Sequence, residues 1–352
     1  MHNFIKSVLM VGILTFGLTA SATAKSKVPV FVSILPQKYF VQQIGKDLVD
    51  VQVMVQPGAS PATYEPKPRQ MANLSKTKIY FAIGVPFEKA WLKKIAATNP
   101  GMQVVQTDQG IEKLEMVAHH HHDEHEGHEH HEHEEAGHHG EEEHAHEHAH
   151  AHEKDHHEEE HHHHEKDHHG EEHHHEKGKH HEDEHDHHEH TGLDPHIWLS
   201  PPLVKIQARS ILTALQNADP QNRAVYEANY KTFTAQLERL DNDLKKVFAG
   251  KTGLDFMVFH PAWGYFAHAY GVKQVPIEIE GKDPKPAQLK ELIKHAKEEG
   301  VKVVFVQPQF STRSAKVVAR EIGGQVVFVD PLAEDWMTNL REVANKFQRA
   351  LK

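Results

Sequence analysis

The chain has 352 residues, a formal net charge of −12 at neutral pH, 38 histidines and no cysteine. Without cysteine it can form no disulfide, thiolate metal site or lipid-modified cysteine. About 33 of the histidines lie between His119 and His190, beside about 26 acidic residues and 4 lysines, so this tract carries close to −22 and the rest of the chain about +10. The remaining stretch of about 280 residues is long enough for two domains with their own cores. No dense basic patch interleaved with aromatics points to nucleic acid.

Residues 1–24 read as a secretion signal. Lys6 supplies the positive charge, Val8 to Leu18 is a mostly apolar run, and Ala22-Thr23-Ala24 is a small-residue cleavage site that leaves Lys25 as the new N-terminus. The run is too short to span a bilayer, so a soluble periplasmic protein without a direct membrane anchor is expected. Pro29 to Ile34 reads as a strand, Tyr39 to Ile44 as a short helix, and Val51 to Val55 as a second, alternating strand ended by Pro57-Gly58. The loop from Gly58 to Pro68 carries three prolines with Tyr64 and Glu65. Ile79 to Ile83 is a buried-type strand and Phe87 to Ala96 a helix. This alternation predicts a mostly parallel sheet with helices on its faces.

The tract from 119 to 190 has too few apolar residues to offset the entropy of ordering and is predicted to be disordered. Its imidazoles are neutral above about pH 6.5 and can then take up metal. Pro201 to Asn217 follows as a helix. Asp219 to Ala249 then reads as one long helix, with Tyr226, Tyr230, Phe233, Leu237, Leu240, Leu244 and Val247 on a single stripe. Asp219 suits the N-cap, Pro220 the first position and Gly250 the C-terminus. At 1.5 Å per residue it is a rod of roughly 45 Å, read as a rigid strut between two lobes. Beyond it, strands at Asp255 to Phe259, Val275 to Ile279, Val301 to Val306 and Gln325 to Val329, with a helix at Gln288 to Glu299, repeat the first half's alternation. The expected organisation is therefore a lobe at 25–218 containing the insert, a linking helix at 219–249 and a second lobe at 250–352. Both lobes are α/β, with a metal site in the cleft between them.

Ligands in open parallel sheets bind beyond the carboxyl ends of strands. His260, Asp330 and the loop from Gly58 to Glu65 all follow predicted strands, and His196 stands between Pro195 and Ile197-Trp198, outside the histidine tract. Two imidazoles and a carboxylate suit zinc. Each of these histidines could instead be a hydrogen-bonded core group, and Asp330 an N-cap. His268 and His295, on predicted helices, read as surface or supporting residues. No His-Glu-x-x-His pair, phosphate-cradling glycine loop or nucleophile elbow occurs, so enzyme chemistry is not expected.

Four motifs appear in order: Gly58-Ala59-Ser60-Pro61 with Tyr64-Glu65-Pro66, then Asp194-Pro195-His196-Ile197-Trp198-Leu199, then His260-Pro261-Ala262-Trp263-Gly264-Tyr265-Phe266, and finally Asp330-Pro331-Leu332. With the acidic, histidine-rich insert before the second motif, they resemble the periplasmic zinc-binding proteins of high-affinity zinc uptake ABC transporters. The resemblance covers essentially the whole mature chain. It implies two α/β lobes bridged by a long helix, one transition metal in the cleft, and delivery to an inner-membrane permease driven by a separate ATPase. It maps ligand roles onto His196, His260 and Asp330. Manganese-binding relatives tend to carry a carboxylate where His260 stands, which favours zinc. Many relatives also have histidine where this chain has Ala62. Glu65, three residues further on, is the candidate replacement, either directly or through a metal-bound water, unless it is a surface residue or an insert histidine reaches in. Such a mixed nitrogen–oxygen site would admit manganese or cobalt as competitors. A monomer is expected. The alternative readings are a periplasmic zinc buffer or metallochaperone and, less favoured, a zinc-dependent hydrolase.

Overall fold

A computed structural model describes residues 27–116, 192–251, 253–279 and 281–351. The expected signal segment and the histidine-rich insert lie outside the described residues. The first half runs β1 (Val28–Val32), α1 (Leu35–Gly45), β2 (Val49–Val53), α2 (Pro68–Leu74), β3 (Ile79–Ala82), α3 (Pro86–Thr98) and β4 (Gln103–Gln106). Beyond the insert come α4 (Pro201–Ala218) and α5 (Arg223–Phe248). The second half runs β5 (Asp255–Val258), α6 (Gly264–Tyr270), β6 (Lys273–Pro276), α7 (Pro286–Glu298), β7 (Val303–Val306), α8 (Arg313–Glu321), β8 (Gln325–Phe328) and α9 (Trp336–Ala350).

Each half builds one four-stranded parallel sheet, in the orders β2-β1-β3-β4 and β6-β5-β7-β8. The two orders are the same pattern, so the two-lobed α/β reading holds. In both, the chain moves to one side of the first strand and then to the other. The crevices at the carboxyl ends of β1/β3 and β5/β7 are thus topological switch points, where parallel sheets take ligands.

The long helix is present, but it begins later than the N-cap reading placed it. Pro220–Asn222 forms a 3-10 turn first, and α5 starts at Arg223. The Asp219 carboxylate accepts hydrogen bonds from Asn222 Nδ2 and Tyr226 Oη at 2.5 and 2.8 Å, which favours this tighter turn. Burial holds the Tyr226 phenol well above its ordinary pKa, so it stays a donor. The 26 residues of α5 bury Tyr226, Phe233, Leu237, Leu240, Leu244 and Phe248. Phe233 meets Tyr39 and Phe40 of α1 at ring separations of 6.2 and 6.1 Å, and Phe248 meets Phe266 of α6 at 5.5 Å. The strut therefore packs on both halves. One hydrophobic core runs from Val30 and Phe81 of the first sheet, through α4 and α5, to Phe256 and Phe347 of the second half. A smaller core, with Met257, Ile277, Val304 and Val318, fills the other face of the second sheet.

Candidate metal centre

The loops at the carboxyl ends of both sheets enclose a cavity of about 100 Å³. Ser60, Pro61, Ala62, Val85 and Pro86 line it from the first half, and His260, Gln309, Phe310, Pro331 and Leu332 from the second. His196 and Trp198 come from the segment that follows the insert, and Met116 from the one that precedes it. Among the described residues, the polar side chains that reach this lining belong to Ser60, His196, Trp198, His260 and Gln309. Trp198 Nε1 is already committed, donating to Pro331 O at 2.7 Å.

The two imidazoles meet edge to face, with ring centroids 5.2 Å apart. His196 is buried at the start of the 3-10 turn Ile197–Leu199. Asp194 Oδ1 takes both its backbone N–H, at 2.8 Å, and its Nδ1, at 2.7 Å. Asp194 is itself locked: its carbonyl accepts from Tyr265 Oη at 2.8 Å, and its N–H donates to Leu114 O at 2.8 Å. Burial pushes the Tyr265 phenol up to about 12, which keeps that donor protonated. Gly264 permits the approach, because a Cβ there would lie 2.6 Å from Asp194 Oδ2.

His260 sits just past β5, where the exit from a buried strand aims it at the crevice. Its Nδ1 is 2.6 Å from Glu278 Oε1, and its backbone N–H donates to Gln307 Oε1 at 3.2 Å. Phe310 stacks on its ring at 4.6 Å. In both histidines a carboxylate holds Nδ1. That fixes the tautomer with Nε2 as the lone-pair nitrogen, the arrangement found in most metal-ligating histidines.

Asp330 follows β8 as expected but lines an adjoining cavity of about 250 Å³, together with Gln56 and Glu334. Its Oδ1 accepts from Leu332 N at 2.9 Å and from Gln309 Nε2 at 3.0 Å. Gln309 lines both cavities, so its side chain forms part of the wall between Asp330 and the histidines. Glu65 is exposed and lines neither cavity, while Ala62, Pro61 and Ser60 of the same loop line the first. Among the described residues, no three His, Asp or Glu side chains stand close enough together to hold a metal ion. His268 lies on α6, and His295, on α7, lies 3.6 Å from Asp255 of β5; neither lines the cavity. The sequence reading missed Glu278 and Gln309. The signal available was position, since Gln309 stands three residues past the end of β7.

The model of the family described as "Zinc-uptake complex component A periplasmic" matches residues 30–350. The chain belongs to the ZnuA family. It is 29% identical over 317 residues to the high-affinity zinc uptake system protein ZnuA of Bacillus subtilis, an alignment covering 89% of this chain and 81% of that one. A crystal structure of ZnuA superposes with a TM-score of 0.71 at 37% identity, covering 93% of this chain and all of the other. A ZnuA deletion mutant with zinc bound superposes with a TM-score of 0.70, also at 37% identity, over 93% of this chain and 99% of its own. ZnuA-family proteins are periplasmic or extracellular solute-binding proteins rather than enzymes, and they serve ABC systems for zinc uptake.

Proposed function

We propose that this protein captures a zinc ion between His196 and His260 and delivers it to an inner-membrane permease powered by a separate ATPase. The observation that carries the reading is the paired imidazoles, 5.2 Å apart at the carboxyl ends of two sheets, each with Nδ1 held by a buried carboxylate. Zinc takes such Nε2 donors at about 2.0–2.1 Å and is satisfied by four ligands. Asp330, separated from them by one side chain, supplies the negative charge that two neutral imidazoles lack. Residues 1–24 direct export to the periplasm, and the histidine-rich segment of 119–190 gathers further ions with lower affinity.

The test is equilibrium dialysis of the full-length protein against zinc buffered by a chelator, so that only the tightest site fills. The His196→Ala/His260→Ala double variant should lose that ion. An unchanged first binding constant would place the site elsewhere.

A further inference from the structure

Two imidazoles do not complete a zinc site, and the histidine cavity offers few other donors. Trp198 Nε1 can only donate and is already used. Ser60 Oγ accepts the backbone N–H of Ala62 at 3.2 Å, which ties it to its own loop. That leaves Gln309. Its Nε2 donates to Asp330 Oδ1 at 3.0 Å. A carboxylate only accepts, so this bond decides which way the amide faces: nitrogen toward Asp330, oxygen away from it. The oxygen, Gln309 Oε1, is buried and has no hydrogen-bond partner among the described residues. Buried acceptors are ordinarily paired, and Gln309, which lines the histidine cavity, carries one that is open.

Its position follows from the topology. β5 and β7 are neighbours at the switch point of the second sheet, and their exits deliver His260 and Gln309 to the same crevice. Phe310, the next residue, stacks on the His260 ring, which couples the two exits. Asp330 at the exit of β8 braces the amide from behind.

We propose that Gln309 is a metal-binding residue whose side-chain carbonyl oxygen adds a donor to the pair begun by His196 and His260, with Asp330 fixing its orientation. This rests on the reading of the cavity as the zinc site. It makes the donor set harder than imidazole alone, because a carbonyl oxygen suits manganese and other hard cations as well as zinc.

The experiment uses the full chain, chelator-buffered zinc, and the visible absorption of cobalt(II) as a second readout of the first-bound ion. Gln309→Leu should weaken the first zinc at least tenfold and change the intensity of the cobalt bands, with the far-UV dichroism of the parent retained. Gln309→Asn, one methylene too short, should do the same if the leucine variant fails to fold. The deciding step is a cycle with Ala62→His, which places an imidazole on the opposite wall. If Gln309 is a ligand, its loss should cost less than threefold once His occupies position 62. Equal losses in both backgrounds would show that Gln309 only steadies Asp330, and would overturn the proposal. So would a Gln309→Leu affinity within twofold of the parent while the His196 and His260 variants lose the ion. Unchanged binding in the histidine variants would instead refute the cavity as the zinc site.

Discussion

Glu278→Gln isolates what a carboxylate does for His260, the proposed zinc ligand. Glu278 is only 5% exposed, and its Oε1 lies 2.6 Å from His260 Nδ1. Its other oxygen is buried without a partner among the described residues. Glutamine keeps an oxygen for the Nδ1–H, so the ring stays oriented, but the charge that makes Nε2 a stronger donor is gone. Removing such a partner typically costs 10–100-fold in metal affinity, about 1.4–2.7 kcal/mol. Stability should move differently. The metal-free protein carries a buried carboxylate with one oxygen unpaired, so the neutral amide should leave folding within about 1 kcal/mol of the parent or improve it. Chelator-competition titration and urea unfolding of the metal-free form measure the two effects separately. Unchanged affinity would refute the electrostatic argument. Destabilisation beyond about 3 kcal/mol would show that Glu278 serves the fold and that any affinity loss is secondary.

Gly264→Ala should weaken zinc binding, because its Cβ would meet Asp194 Oδ2 at 2.6 Å and disturb the support of His196; equal affinity in a zinc titration would contradict this. Glu65→Ala should leave the first zinc constant within twofold, since Glu65 is exposed and off the cavity. Phe233→Ala removes a buried ring that touches Tyr39 and Phe40 and should cost about 3–5 kcal/mol in urea unfolding. Burial raises the pKa of Glu88 above 4.5, against hydrogen bonds from Ser33, Ile83 and Gly84 that lower it. The folded state therefore holds this proton longer than the unfolded one, and stability contributed here is lost as pH rises past 4.5. The parent-minus-Glu88→Gln difference in urea stability should shrink over that range, and a flat difference would sink the assignment.

The parts of this molecule most legible in its sequence were those with a period or a punctuated motif. The stripe of α5 announced itself from Tyr226 to Leu244, but Tyr230 and Val247 are only half-buried against the core, and Phe248 is buried in the final turn. His260 was legible because it ends an apolar strand. β4 was harder, a four-residue edge strand with glutamine at both exposed ends, whereas β8, also an edge strand, was legible from Gln325 to Val329. Helix α9 carries Trp336, Leu340, Val343, Ala344 and Phe347 at helical spacing, a signal as clear as that of α5. Glu278 could not be singled out, because its residue type does not distinguish itself until the fold sets it beside His260, and Gln309 offered only its place past the end of β7. The orientation of Asp330 likewise depends on Gln309, a contact across 21 residues of sequence.

The two tryptophans near the cavity form a chain of bonds across the molecule. Trp336 Nε1 donates to Trp198 O at 2.8 Å, and Trp198 Nε1 donates to Pro331 O at 2.7 Å. Trp336 also packs on Phe40 of α1, with ring centroids 5.1 Å apart. Swinging the two sheets apart would break these bonds and expose the core that α5 shares between them. Under the proposed zinc-capture reading, exchange of the ion meets that cost, so Trp198→Phe or Trp336→Phe, each of which removes one of these bonds, should speed its release.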